Sequence, residues 1–248
     1  MDHLDHSHTK EAIKERLSHN IERSYIRDFI YGSIDGTVTT FAVVAGAAGA
    51  GFSEKVIFIL GCANLIADGF SMAVGNYEGV KAEKQLVDKY RKMEAEHIEQ
   101  VPEGEKEELR QIYIAKGFSG DELESIVEGI SSNKEAWIEV MLTEEHGLST
   151  AIGNPIKAAF ITYLAFCWLG LFPLLPFIFK AVGAISISSE ELFVVSGVLT
   201  AITFFTIGVV KGNLVQVPKW KSGLSTLATG GAAALMSFFV GKLLSHLV

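Results

Sequence analysis

Cysteine is scarce in this chain of 248 residues, so a fold held together by disulfides is not expected. The two cysteines, Cys62 and Cys167, lie in separate apolar runs and form no CxxC pair, and we expect both thiols to pack in apolar surroundings. An excess of basic residues is also missing, because the formal net charge is −8. A nucleic-acid-binding surface needs clustered Lys and Arg, so nucleic acid is not an expected partner.

The charged residues are concentrated in one part of the chain. Residues 76–150 contain eighteen acidic and nine basic residues, a local balance of −9, whereas the remainder contains eleven acidic and twelve basic residues. The mean hydropathy of the whole chain is +0.31. This partition indicates an acidic aqueous domain set within an apolar membrane frame. Residues 1–28 contain no apolar core of a signal peptide, so the first membrane helix is expected to direct insertion.

Five apolar segments are long enough to cross a bilayer, which takes about 20 residues of helix. They lie near residues 29–50, 56–75, 156–182, 192–210 and 224–247. Their apolar runs are continuous and do not alternate with a period of two, which favours helices over a barrel. The sequence therefore predicts an all-α membrane protein with an arm (1–28), two spans (29–75), an inserted helical domain (76–153) and three further spans (154–248).

The distribution of Lys and Arg between the spans predicts the orientation. The arm carries five Lys or Arg residues, and the link between the fourth and fifth spans carries three, whereas the other two short links carry one each. Because basic residues are enriched on the cytoplasmic side, the N terminus and the inserted domain are expected in the cytosol. The C terminus is then expected on the opposite side of a plasma or vacuolar membrane.

Local signals predict helices throughout the inserted domain. The second span has no breaker before residue 100, and Pro102 suits the first turn of a new helix. Gly117 suits the residue after that helix, and Ser119 with Glu122 has the spacing of a capping box. A last helix is expected near residues 133–146, ending at Gly147.

Four polar or sulfur-bearing residues in the first two spans are candidates for an ion path. Ionisable groups within a bilayer cost several kcal/mol and are functional candidates by default. Asp35 lies between Gly32 and Gly36, whose small size allows close approach of a helix or an ion. A second set consists of Asn64, Asp68 and Met72, which are spaced four residues apart and so share a helical face. The alternative is that each Asp is hydrogen-bonded and only holds helices together.

The inserted domain offers a second set of candidate metal ligands at helical spacing. Glu94 and His97 are three residues apart, and so are Glu105 and Glu108. The last helix adds Met141, Glu144, Glu145 and His146. Helical bundles build metal sites from Glu and Glu-x-x-His on facing helices. The alternative is a solvated acidic surface, which charged runs on helices commonly form.

These residues together resemble the vacuolar iron transporter family, over residues 25–248. The resemblance rests on Arg27-Asp-Phe-Ile-Tyr-Gly-Ser-Ile-Asp35-Gly and Ala67-Asp-Gly-Phe-Ser-Met72-Ala-Val-Gly in the first two spans. It also rests on a pattern in the domain: Met93-Glu, Pro102-Glu-Gly-Glu-Lys-Glu-Glu-Leu, Ala115-Lys-Gly-Phe-Ser, and Trp137…Met141…Glu144-Glu-His-Gly-Leu. The order and spacing of these pieces make the resemblance specific.

The resemblance implies a homodimer whose ion path lies between the two first spans, and export of metal in exchange for protons. It places Asp35 and Met72 at membrane metal-handling positions. It implies a domain that gathers metal through Glu94, Glu105, Glu108, Met141 and Glu145. The sequence departs from the family pattern at three positions, where Glu, Met and Glu are replaced by His97, Leu142 and Leu148.

The function expected from residues and resemblance together is export of cytosolic Fe²⁺ or Mn²⁺, without enzymatic activity or a prosthetic group. The first alternative is a membrane-anchored di-iron ferroxidase, which should show two Glu-x-x-His motifs, whereas only Glu94-x-x-His97 fits. The second is a membrane sensor or scaffold whose acidic domain binds a protein partner.

Overall fold

A computed structural model describes residues 7–18 and 24–247 of the chain. All regular structure in these residues is helical. The α-helices are α1 (Lys10–Ser18), α2 (Ile26–Gly49), α3 (Glu54–Gln100), α4 (Pro102–Ala115), α5 (Gly120–Ser131), α6 (Lys134–Val140), α7 (Pro155–Gly170), α8 (Leu175–Ala181), α9 (Ser189–Leu214) and α10 (Lys219–Leu244). A π-helical turn, Met141–Glu145, follows α6, and a 3₁₀ turn, Phe172–Leu174, precedes α8.

Five helical segments of the described chain are long and apolar enough to cross a membrane, as the sequence predicts. They are Ile26–Gly49, Glu54–Gln100, Pro155–Ala181, Ser189–Leu214 and Lys219–Leu244. The second is a single helix of 47 residues, because no Pro occurs between Glu54 and Gln100 to interrupt it. Pro102 then opens α4 in its first turn, and Gly117 follows that helix with a φ of 97°, both as expected from their local chemistry.

The chain divides into two compact units. One, here called the acidic unit, comprises Met1–Ser24 and Val80–Gly153. The other, here called the membrane unit, comprises Tyr25–Gly79 and Asn154–Val248. Helix α3 contributes its first part to the membrane unit and its last part to the acidic unit.

Helix α2 is the centre of the membrane unit and packs on α7, α9 and α10. Its approach to α7 depends on glycine: a Cβ at Gly32 would meet the carbonyl oxygen of Thr162, and one at Gly36 would meet backbone atoms of Phe166. Small residues let helices in lipid pack closely, since apolar side chains gain little by leaving lipid for protein. The glycines beside Asp35 thus allow the close approach that the sequence predicts, and the element that approaches is helix α7.

The third span is less regular than the continuous helix expected over residues 156–182. Helix α7 ends at Gly170, a 3₁₀ turn covers Phe172–Leu174, and α8 resumes at Leu175. Pro173 and Pro176 explain the break, because proline has no N–H and its ring clashes with the preceding turn. The carbonyl of Pro173 instead accepts a buried hydrogen bond of 2.6 Å from the Ser196 hydroxyl of α9.

The acidic unit has its own apolar core between α4, α5 and α6. Its fully or nearly fully buried members are Leu109, Leu123, Val127, Trp137 and Met141. The predicted capping box at α5 is wrong, since the Ser119 side chain makes no capping hydrogen bond. The next residue, Gly120, has a φ of 61°, and this left-handed turn carries the chain into the helix without that cap.

Candidate metal-binding sites

In the membrane unit, Asp35 is half-buried on α2 and interacts electrostatically with Asp68 of α3. The local sequence explains why both residues lie in helices. Each Asp is flanked by apolar and small residues that favour a membrane helix. In the described part of the chain, no Lys, Arg or His forms an ion pair with either carboxylate. Two acidic groups within reach of each other in spanning helices form a site that would favour a cation.

The three residues predicted to share one face of α3, namely Asn64, Asp68 and Met72, lie in different surroundings. The Asn64 amide lies 3.5 Å from the Thr39 hydroxyl of α2, and Met72 packs against the apolar core of the membrane unit. Asp68 is exposed on the single chain. Asp35 and Asp68 thus lie near enough for their charges to interact. Asn64 contacts Thr39, which lies one helical turn after Asp35 on α2.

A buried polar junction near one end of the spans was not anticipated. Asp28 is 4% exposed, and its carboxylate accepts a hydrogen bond of 2.8 Å from the amide of Asn76 on α3. The same amide group lies 2.7 Å from the Thr162 hydroxyl of α7. The junction therefore ties α2, α3 and α7 together. The sequence boundary at residue 28 assigned this Asp to the arm, although a charged residue beside an apolar run was a usable signal.

In the acidic unit, two groups of possible metal ligands share Glu94. One consists of Glu94, His97 and Glu105, and the other of Glu94, Glu145 and His146; in each group one ligand atom per residue lies within 4.8 Å of the others. Nδ1 of His97 lies 3.2 Å from Oε1 of Glu105. Glu94 and His97 reach one side of α3 because they are three residues apart, and Glu105 faces them from the first turn of α4.

The π-helical turn after α6 supplies the second group. It spans Met141–Glu145 and is followed by His146, whose Nε2 lies 2.8 Å from Oε1 of Glu94 and 3.6 Å from Oε2 of Glu145. The His146 ring packs on Tyr90, with ring centroids 4.4 Å apart. π-Helical turns are rare and recur at functional sites. The sequence signals a helix here and contains no signal for the wider turn.

Two buried oxygen atoms in this cluster have no hydrogen-bond partner among the described residues. They are Oε2 of Glu94 and Oε2 of Glu105, on side chains that are 2% and 3% exposed. Burial raises the pKa of Glu105 to about 7, and the negative charges of Glu108 and Glu94 add to the rise, against the opposing effect of His97. Burial also raises the pKa of Glu145. Buried carboxylates with open lone pairs are suited to a cation.

The remaining predicted ligands lie around this cluster in different ways. Glu108 is exposed but close enough for its charge to act on Glu105 and Glu145. Met141 is fully buried in the apolar core of the acidic unit. Glu144 belongs to neither three-residue group and instead pairs with Lys116 at 2.6 Å. Of the three departures from the family pattern, His97 joins the cluster, whereas Leu142 and Leu148 pack in a separate apolar cluster.

These features define an all-helical membrane protein that carries a cluster of carboxylates and imidazoles. The sequence model of the VIT family matches residues 26–242, and the chain belongs to this family. The chain is 34% identical over 233 residues to a vacuolar iron transporter of Toxoplasma gondii, covering 92% of this chain and 77% of the relative. It is 30% identical over 243 residues to a vacuolar iron transporter of Plasmodium berghei (96% and 89% covered) and 29% identical over 236 residues to vacuolar iron transporter 1 of Arabidopsis thaliana (93% and 92% covered).

Proposed function

We propose that this protein exports Fe²⁺, or Mn²⁺, from the cytosol across a membrane in exchange for protons. The observation that carries the proposal is the presence of two carboxylates, Asp35 on α2 and Asp68 on α3, inside helices that are long and apolar enough to span a bilayer. Such a pair of carboxylates is costly in lipid unless a cation or a proton compensates it. Membership of the VIT family, and the names of the relatives, support iron as the cation.

The proposed path begins in the acidic unit, which faces the cytosol in this proposal. Its cluster around Glu94 and Glu105 gathers the cation and replaces part of its water. The cation then reaches Asp35 and Met72, where a carboxylate oxygen and a thioether sulfur together suit Fe²⁺ better than Mg²⁺ or Ca²⁺. Two copies of the chain form the path between their first spans, so that each contributes an Asp35.

Protonation of Asp35 from the far side provides the release step. A neutral carboxyl group is a poor metal ligand, because metal binding and proton binding compete for the same oxygen atoms. In the low dielectric of the spans, the loss of one charge has a large effect on cation affinity. Proton exchange therefore follows from one group that alternates between metal and proton.

The test is Fe²⁺ flux into proteoliposomes loaded with a metal-sensitive dye, under an imposed pH gradient. Asp35→Asn removes the charge with little change of size, and we expect it to abolish flux while the protein remains monodisperse. Asp121→Asn, on an exposed residue of α5, is the matched control and should transport normally. Normal flux through Asp35→Asn would refute the assignment. Oxygen consumption on addition of Fe²⁺, without flux, would favour the ferroxidase alternative.

A further inference from the structure

Each half of the acidic cluster contains one imidazole. His97 lies with Glu105 in the first group, and His146 lies with Glu145 in the second, while Glu94 belongs to both. His97 replaces a Glu of the family pattern, and the resemblance assigns no role to His146. The ligand set in this chain therefore contains two nitrogen donors among its carboxylates.

Glu94 has the geometry of a shared carboxylate. Its Oε1 lies 2.8 Å from Nε2 of His146, whereas its Oε2 is buried without a hydrogen-bond partner in the described chain. An ionised carboxylate has two oxygens with about four lone-pair directions, so Oε2 remains open to a cation while Oε1 contacts His146. The second orphaned oxygen, Oε2 of Glu105, belongs to the first group. Both groups thus contain a buried acceptor that lacks a donor.

The two histidines differ in how firmly they are held. The side chain of His146 is 15% exposed and rests on the Tyr90 ring, whereas that of His97 is 48% exposed. A ligand whose orientation is fixed before the ion arrives loses less freedom on binding than a mobile one. His146 should therefore contribute more to ion choice than His97 does.

We propose that His97 and His146, the two imidazoles of this cluster, make it select Fe²⁺ over Mn²⁺. The physical basis is ligand preference: imidazole suits Fe²⁺ and Zn²⁺, whereas sites made only of carboxylate, carbonyl and water suit Mn²⁺ and Mg²⁺. This inference rests on the proposed function only in taking the cluster as the site where cargo is gathered. It concerns equilibrium binding, and does not depend on which step limits transport.

The experiment is anaerobic calorimetry on the full-length protein in detergent, titrated separately with Fe²⁺ and with Mn²⁺. The wild type should bind Fe²⁺ more tightly than Mn²⁺. We expect His146→Gln to lower the ratio of Fe²⁺ to Mn²⁺ affinity by about tenfold, the scale on which changed metal-site residues act. His97→Glu, which restores the family pattern, should lower it by less. His246→Gln, on an exposed histidine of the membrane unit, is the control and should leave the ratio unchanged.

A second measurement needs no variant. Pulsed electron paramagnetic resonance of Mn²⁺ bound to the wild type should show coupling to imidazole ¹⁴N. Lack of that coupling, or an affinity ratio that is the same in His146→Gln, His97→Glu and wild type, would overturn the proposal. A response in His97→Glu alone would overturn the larger contribution assigned to His146. If the wild type transported no Fe²⁺ but the histidine variants still changed the affinity ratio, the proposed function would be wrong and this inference would stand.

Discussion

The membrane unit and the acidic unit place their carboxylates by different physical means. In the membrane unit, helices approach through glycines such as Gly32 and Gly36, and the backbone itself forms the contact. In the acidic unit, large side chains such as Leu109 and Trp137 form a core, and Glu94 and Glu105 are buried in the same unit. An Asp within an apolar span is conspicuous from sequence alone, whereas only the structure shows which of the many Glu residues of the acidic unit are buried.

The same contrast applies to what surrounds the charges. Several acidic residues at the surface of the acidic unit have basic partners, as in the bidentate contact of Arg110 with Glu124. The buried Glu94 and Glu105 have imidazoles and open oxygen atoms instead. In water, an acidic residue therefore becomes a functional candidate through burial and missing partners, and not through its charge. The following predictions test this comparison.

Gly36→Ala should have the largest effect on stability. A Cβ at this position would lie 2.8 Å from the backbone carbon atoms of Phe166, so α2 and α7 must separate. We expect a loss of about 2–3 kcal/mol in the free energy of unfolding, as for overpacked interiors, measured by thermal or denaturant unfolding in detergent.

Gly129→Ala in the acidic unit is the matched control for that change. A Cβ there would meet nothing within 4 Å. Replacing this helical glycine with alanine should therefore raise the free energy of unfolding by about 0.5–1 kcal/mol. If both substitutions had the same sign and size, glycine-mediated packing would not distinguish the two units.

Glu105→Gln should change how stability depends on pH in chelator-treated protein. The folded-state pKa of Glu105 is about 7, above its ordinary value of 4.5, so the fold binds this proton more tightly than the unfolded chain does. Its contribution to stability is complete below pH 4.5, falls as pH rises from there, and is fully lost above about pH 7. Gln cannot ionise, and the variant should lose fewer degrees of melting temperature between pH 5 and 8 than the wild type.

The melting temperatures of wild type and Glu105→Gln are compared by fluorescence or circular dichroism across that range. An identical fall in both proteins would show that another group carries the pH dependence. Because Glu105 also belongs to the proposed site, added Fe²⁺ should raise the melting temperature of the wild type more than that of the variant.

Glu144→Gln should have the smallest effect. Glu144 forms an exposed ion pair with Lys116, and both side chains remain more than one-third exposed. Such pairs contribute about 0–1 kcal/mol, so stability should change little. Calorimetry should show Fe²⁺ affinity close to that of the wild type, whereas Glu145→Gln should weaken it. Equal weakening by both variants would show that Glu144 approaches the ion.

The parts of the fold that follow local chemistry were predictable from sequence. The five spans follow from apolar length, the unbroken α3 follows from the lack of proline, and the turn at Gly117 follows from the freedom of glycine. The break in the third span was signalled by Pro173 and Pro176 but was hidden by the high hydropathy around them.

The arrangement of the candidate site was only partly predictable. Helical spacing identified Glu94 with His97 and Glu105 with Glu108, and the last helix offered Glu145 and His146 as further candidates. The meeting of Glu94 with His146 depends on a π-helical turn and on packing between elements 52 residues apart, for which periodicity gives no signal. The junction of Asp28, Asn76 and Thr162 likewise joins three distant helices. Long-range contacts of this kind are properties of the folded chain and not of any local segment.

The contact of Gly36 with α7 has a consequence for how this protein can change over generations. A clash between two side chains can be relieved by shortening either one, but the atoms facing Gly36 belong to the main chain of Phe166. Every amino acid carries those atoms, so no replacement of Phe166 removes them. A revertant of Gly36→Ala is therefore expected to restore glycine itself, and a screen for second-site suppressors should find none at position 166.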